Sequence, residues 1–340
     1  MNNLKKKNFK LKKILLVIFV GLFALLGFRY LGPDDSNFIT IVETKLESFS
    51  SKSSPSPTSI SVSSSTDAAS LSSEQLSQEV SYVLTDPETN QIFKSQNADL
   101  ERPPASTLKL LTGLIAEESL RETDIVKVGA EVNIQGSKLG LNPGDVISVK
   151  DLLTALYVNS SNDAAAALAV VISGSIPEFA QKMNKYATTL GCQQSNFTNP
   201  HGMPDLEQYT TANDLSIIAN HFIQNEKLMT YVQKPNARVQ WKDAQGKDRI
   251  AELHNTNILL GVYPGDQGLK TGTTTEAGQC LVSYVTRADG DLLLILLGSK
   301  QRYKDTISLL DEAWAEQRSK AALRNLSKDP RSLILSPGIF

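Results

Sequence analysis

The chain has 340 residues, with 34 Lys plus Arg against 36 Asp plus Glu, and a formal net charge of −2. Six of the positive charges (Lys5, Lys6, Lys7, Lys10, Lys12 and Lys13) lie ahead of Ile14, so the rest carries 28 basic and 36 acidic side chains. An acidic body argues against nucleic acid as a partner, 41% hydrophobic content excludes wholesale disorder, and two cysteines exclude a disulfide-built scaffold.

The lysine-rich start runs into Ile14 to Phe28, fifteen residues without a charge. A positive segment followed by an apolar one is the layout of an export signal. No small-x-small cleavage site occurs in Gly27-Phe28-Arg29-Tyr30-Leu31-Gly32, and no Cys follows. Fifteen residues make ~22 Å of helix against a ~30 Å hydrocarbon core, a gap that snorkelling by Lys13 and Arg29 would close. Residues 1–13 therefore read as a cytoplasmic basic segment, 14–31 as an uncleaved transmembrane signal-anchor, and the remainder as lying on the other side of the membrane. Residues 48–73 hold 14 Ser with Pro55 and Pro57. They cannot bury enough surface to offset their ordering entropy, so residues 32–80 read as a flexible linker with a coil reach of roughly 40 Å.

The globular unit is expected over 81–320, with 321–340 as a tail. Ser81 to Asp86, a Pro87–Asn90 turn and Gln91 to Ser95 predict a hairpin. Helices are predicted from Ser106 to about Leu120, through much of Val149 to Ile172, after the capping box Ser175-Ile176-Pro177-Glu178, and from Thr211 to Gln224. Strands return at Leu269 to Thr274, Gly278 to Val285 and Asp291 to Gly298. A last amphipathic helix spans about Lys304 to Arg318, with Ile307, Leu310 and Trp314 facing inward. Strands at both ends around a helical block predict an α+β fold whose N- and C-terminal strands share one antiparallel sheet beside a helical subdomain.

Three short motifs carry chemistry. In Ser106-Thr107-Leu108-Lys109 the hydroxyl and the amine share a helix face. A neutral Lys can take the Ser proton, but an amine of ordinary pKa ~10.4 needs desolvation or a neighbouring cation to be neutral. In Ser160-Ser161-Asn162, followed by Asp163-Ala164, a Ser and an Asn in a helix-linking turn can both point into a cleft; ordinary turn chemistry is the plainer reading of this motif alone. In Lys270-Thr271-Gly272-Thr273 a strand glycine marks close approach of another backbone, and an extended substrate could pair along the strand. Cys192 and Cys280 could bond outside the cytoplasm, although Cys280, alternating with Val282 and Tyr284, reads better as a small buried hydrophobe. His201, His221 and His254 have no metal-ligand spacing.

Each motif is weak alone, but the ordered set, Ser106 to Lys109, then Ser160 to Asn162, then Lys270 to Thr273, is specific. Residues 81 to about 316 resemble the low-molecular-mass penicillin-binding proteins, the serine D-alanyl-D-alanine carboxypeptidases. Supporting stretches are Pro103-Pro104-Ala105-Ser106-Thr107-Leu108-Lys109, Gly140-Leu141-Asn142-Pro143-Gly144-Asp145, Asn199-Pro200-His201-Gly202-Met203 and Gly268-Leu269-Lys270-Thr271-Gly272-Thr273.

The resemblance implies a DD-peptidase/β-lactamase-like fold, with no metal or cofactor. It implies Ser106 as nucleophile, Lys109 as its base and Ser160 as the proton shuttle to the departing amine. Asn162 would orient the substrate amide, and backbone N–H groups of Ser106 and Thr273 would form the oxyanion hole. Lys270, Thr271, Gly272, Thr273 and Arg302 would receive the substrate, with Arg302 on its terminal carboxylate. His201, in a family loop near the site, reads as structural. The implied partners are a peptidoglycan stem peptide, β-lactam antibiotics and, through the N-terminal helix, a bacterial cell membrane.

Two departures stand out. Ser161 occupies a position where relatives often carry Gly, and little sequence follows the last predicted helix, so the C-terminal β-rich domain of many relatives is not expected. The expected activity is D,D-carboxypeptidase. The alternatives are a D,D-endopeptidase using the same residues, a β-lactamase, and a non-catalytic wall-binding or sensing module. The β-lactamase reading lacks a deacylating Glu around Ser195 to Asn199.

Overall fold

In the computed structural model of the chain, residues 80–328 are described. The predicted cytoplasmic segment, signal-anchor and linker to residue 79 lie outside the described residues, as does 329–340 of the predicted tail 321–340; its first part, to Lys328, instead continues the last helix. Strands β1 (Ser81–Thr85) and β2 (Ile92–Gln96) form the expected hairpin. β7 (Asp266–Thr274), β8 (Gly278–Arg287) and β9 (Gly290–Ser299) complete a five-stranded antiparallel sheet in the order β2-β1-β9-β8-β7. Ser81 pairs with Leu297 and Thr85 with Leu293, so the two ends of the domain meet in the middle of one sheet. β9 is an unbroken aliphatic run because both its faces are covered. Helix α5 (Ala212–Ile223) and helix α7 (Arg302–Lys328) both pack against it, and Leu292 to Leu297 are buried. Ile307, Leu310 and Trp314 of α7 are buried as expected.

The helical block holds α1 (Lys109–Ser119), α2 (Val149–Val158), α3 (Asn162–Ser173) and α4 (Ile176–Leu190). α3 sits at its centre, touching α1, α2 and α4. Ala164, Ala165, Ala166 and Ala167 are at most 1% exposed there, because only a methyl-sized side chain lets neighbouring helices come so close. Ser175 caps the helix as expected: its Oγ accepts from the Glu178 N–H at 3.3 Å, and the Glu178 carboxylate accepts from the Ser175 hydroxyl at 3.0 Å rather than from the Ser175 backbone N–H of a full capping box.

Two features differ from the expectation. A second, four-stranded sheet, in the order β3-β4-β5-β6, comprises β3 (Ile125–Lys127), β4 (Val146–Ser148), β5 (Asn236–Lys242) and β6 (Asp248–His254). A seven-residue helix, α6 (Glu226–Val232), also precedes β5. Cys192 and Cys280 are both buried and free. Cys280 is fully buried on β8, as its alternation suggested. Among the described residues, no single helix is long and apolar enough to cross a membrane.

Candidate active site

The first motif begins in a 3-10 turn, Ala105–Leu108, that runs directly into α1. Three residues per turn stack positions i and i+3 one above the other, and Ser106 Oγ lies 2.7 Å from Lys109 Nζ. Ala105 just before it has φ +48°, a left-handed conformation unusual for a residue with a side chain. Ser106 is thereby presented at the end of a sharp reversal rather than along a regular helix.

Ser160 and Asn162 come from the break between α2 and α3. Ser160 has φ +63°, and this kink turns its hydroxyl to within 3.4 Å of Lys109 Nζ. Ser161, by contrast, has φ −58°, ordinary for any L residue, so a glycine is not required there. Asn162 Oδ1 lies 2.7 Å from Lys109 Nζ, while its Nδ2 donates to the Gln135 carbonyl at 2.7 Å.

The wall opposite is the Asn199–Met203 loop. The His201 carbonyl accepts from Lys109 Nζ at 2.8 Å and from Ser106 Oγ at 3.3 Å. His201 Nδ1 accepts from the Met203 N–H at 3.2 Å. Burial, and then the adjacent Lys109, push its pKa down to about 3, so the ring is neutral. A Cβ on Gly202 would stand 2.0 Å from the Ala105 carbonyl oxygen, which together with φ +83° explains the glycine.

The third motif lies on β7, an edge strand of the five-stranded sheet. A Cβ on Gly272 would meet Ser106 N at 2.8 Å and Thr107 N at 3.1 Å, so the strand and the nucleophile's turn touch backbone to backbone. Lys270 is 1% exposed and donates to the Thr271 carbonyl at 2.9 Å. Thr271 Oγ1 is 2.6 Å from Thr256 Oγ1. Arg302, the first residue of α7, reaches back to the same strand. Its Nη1 donates to the Gly272 carbonyl at 2.8 Å and the Cys280 carbonyl at 2.9 Å, and its Nη2 to the Thr273 hydroxyl. Direct contacts thus join Ser106, Lys109, Ser160 and Asn162, and the approach of Gly272 to Ser106 sets Lys270–Thr273 and Arg302 beside them.

Electrostatics follow from this packing. Lys109 is fully buried, and desolvation, helped by Lys270, holds its pKa well below the usual range, against an opposing pull from Asp163. Burial, followed by the Arg302 charge, brings Lys270 down to about 7. A neutral Lys109 has two N–H bonds, for which Asn162 Oδ1 and the His201 carbonyl are the short acceptors, leaving its lone pair toward the Ser106 hydroxyl. That arrangement can deprotonate Ser106.

Three contributors had no clear mark in the sequence. The His201 carbonyl is backbone and has no side-chain signature. Asp163 is buried and accepts from the backbone N–H groups of Leu139, Gly140 and Leu141 at 2.8–3.0 Å, tying the second motif to the Gly140–Asp145 stretch. Its signal was adjacency to that motif. Gln279 Oε1 accepts from Arg302 at its backbone N (3.2 Å) and at Nε (3.4 Å). A separate hollow lined by Glu117, Glu118, Glu122 and Lys227 lies at the other end of α1. Its acids are bonded to Lys227, Tyr186 and Tyr231.

A family model described as D-alanyl-D-alanine carboxypeptidase, peptidase family S11, matches residues 67–301. The chain is 31% identical over 245 residues to D-alanyl-D-alanine carboxypeptidase DacF of Bacillus subtilis, covering 69% of this chain and 62% of that protein. It is 32% identical over 234 residues to DacA of Haemophilus influenzae, covering 66% and 57%. The chain therefore spans about three fifths of the length of these curated relatives. Among solved structures, the Streptomyces K15 DD-transpeptidase superposes with a TM-score of 0.66 at 27% identity, over 69% of this chain and 96% of that one. The carboxypeptidase DacD of Francisella tularensis gives 0.64 at 25% identity, over 75% and 73%. The family match runs from ahead of β1 to the last residue before α7, taking in all three motifs around Ser106, and the chain belongs to the D-alanyl-D-alanine carboxypeptidase family.

Proposed function

We propose that this protein is a membrane-anchored serine D,D-carboxypeptidase that removes the terminal D-Ala from peptidoglycan stem peptides through an acyl-enzyme on Ser106. The observation that carries the reading is the 2.7 Å contact between Ser106 Oγ and a fully buried Lys109 amine. Neutral Lys109 takes the Ser106 proton as Oγ attacks the carbonyl of the penultimate residue. The N–H groups of Ser106 and Thr273 receive the oxyanion. The peptide C–N bond then breaks, and the proton passes from Lys109 by way of Ser160 to the leaving D-Ala amine. Water, deprotonated by the same Lys109, hydrolyses the ester and restores Ser106. Throughout, the substrate's carboxylate faces Thr271, Thr273, Lys270 and Arg302, and its peptide runs along the open edge of β7.

A second reading keeps the acyl-enzyme and replaces water by an amine. It is favoured by the likeness to a Streptomyces protein named as a DD-transpeptidase. The Asn199–Met203 loop supports slow turnover of a penicillin adduct, since it offers backbone carbonyls rather than a carboxylate to activate water. The N-terminal segment is read as a membrane anchor with its lysines in the cytoplasm and the catalytic unit outside a bacterial cell.

Mass spectrometry of the protein after penicillin exposure, with D-Ala release from stem pentapeptide, tests the reading. The wild type should gain one penicillin mass and release D-Ala, and Ser106→Ala should do neither. An adduct surviving in Ser106→Ala would remove the nucleophile assignment. Adding a glycine-ended acceptor peptide separates the two readings by whether a transfer product forms.

A further inference from the structure

The segment Asn255-Thr256-Asn257, between β6 and β7, belongs to none of the three motifs. Both asparagines are buried, and their side chains hold the segment itself. Asn255 Nδ2 donates to the Val232 and Lys234 carbonyls at 3.1 and 2.9 Å, and its Oδ1 accepts from the Asn257 N–H at 2.8 Å. Asn257 Nδ2 donates to the Asp266 carboxylate at 3.1 Å.

Thr256 between them is held by its backbone at both ends. Its N–H donates to the Val158 carbonyl at 3.0 Å, two residues before Ser160. Its carbonyl accepts from the Tyr303 hydroxyl at 2.7 Å, one residue after Arg302. The segment therefore keeps its place without the Thr256 hydroxyl, whose recorded partner is Thr271 Oγ1 at 2.6 Å.

Two hydroxyls at that distance share one proton between them, and the direction is set by what else each faces. An anionic group beside Thr271 draws the Thr271 proton outward, so Thr271 must then accept from Thr256. We propose that Thr256 is a positioning residue for carboxylate recognition: its hydroxyl donates to Thr271 Oγ1 and so aims the Thr271 O–H at the terminal carboxylate of the substrate. The inference rests on the carboxypeptidase reading, and it makes Thr256 a determinant of preference for a free carboxylate over a neutral end group.

The test uses the full-length protein with Thr256→Val, which keeps the shape, and Thr256→Ser, which keeps the hydroxyl. Acylation rates are measured with benzylpenicillin and with its methyl ester, which lacks the carboxylate. Thr256→Val should slow acylation by the acid about five- to tenfold, the worth of one neutral hydrogen bond. It should leave the ester's slower rate and the thermal midpoint nearly unchanged. With stem pentapeptide the same variant should raise KM more than it lowers kcat, and Thr256→Ser should restore both. Equal slowing of acid and ester, or no slowing of either, would overturn the inference. Failure of the wild type to react with either penicillin refutes the underlying enzymatic reading instead, and needs no variant to be seen.

Discussion

Lys109 can accept the Ser106 proton only while its own amine is neutral, so its surroundings set the pH range in which the site works. Burial is the first cause of its lowered pKa and Lys270 the second, with Asp163 opposing both. Since the neutral amine is the reactive form, acylation should rise as pH increases through the Lys109 value. Removing the Lys270 charge lets Lys109 hold its proton more tightly, which moves that rise to higher pH. Acylation by penicillin measured from pH 5 to 9 should therefore show the acidic limb of Lys270→Gln displaced upward, beyond any uniform loss from weaker substrate binding. An unmoved limb would mean that desolvation alone tunes Lys109. At this scale the sequence was most informative where chemistry resides in side chains. Ser106, Lys109, Ser160, Asn162 and Lys270 are legible because they stand in three short motifs whose residue types and order match those of the family the chain resembles. The His201 carbonyl, which holds both Ser106 and Lys109, is not, because every residue has a carbonyl and only the path of the chain aims this one.

Among the elements, β7 at Gly272 and the 3-10 turn at Ser106 meet backbone to backbone. Neither partner can rotate away as a side chain would. A methyl group on Gly272 would face Ser106 N at 2.8 Å and Ala105 Cβ at 2.9 Å, so the strand edge must withdraw from the turn. The proposed oxyanion hole would need the N–H groups of both elements at once. Gly272→Ala should thus lower penicillin acylation by about 100-fold or more, the cost of losing one oxyanion donor. The thermal midpoint should fall only a few degrees, since β7 stays paired to β8 along Leu269–Thr274. A midpoint loss without an acylation loss would show that the close approach serves packing alone. The terminal strands were legible for a related reason: Leu292–Leu297 of β9 is aliphatic throughout, and such a run must be covered on both faces. The second sheet was not. β3 and β4 have three residues each, too short for a period to show, and they are held by pairing with a hairpin that begins at Asn236. β5 is the exception: Ala237, Val239 and Trp241 alternate with the exposed Arg238, Gln240 and Lys242, a period-two pattern that does mark a strand.

For the whole molecule, the net charge of −2 averages segments of opposite sign. The segment ahead of Ile14 holds six lysines, and the sequence from Tyr30 carries 27 basic and 36 acidic side chains. Within that acidic body Lys109 and Lys270 are buried in one cleft with Arg302 beside them, an arrangement suited to an anionic end group on an otherwise repelled polymer. The folded unit has its own core, and its first strand is anchored in mid-sheet by five paired positions to β9. Every side chain named in the cleft lies after Val80. Chemistry and address should therefore separate at the linker. The full-length protein should sediment with bacterial membranes, whereas residues 68–340, the compact unit that includes the sheet and the helical block, should remain in the supernatant. Acylation of the two by benzylpenicillin should agree within about twofold, because Ser106 and its neighbours form the same contacts in both. On the proposed anchoring, the shortened protein should lose more on an insoluble cell-wall substrate, since an untethered enzyme forgoes a raised local concentration. Sedimentation of the shortened protein with membranes would overturn the anchor reading, and a slowed acylation would place part of the catalytic machinery before residue 68.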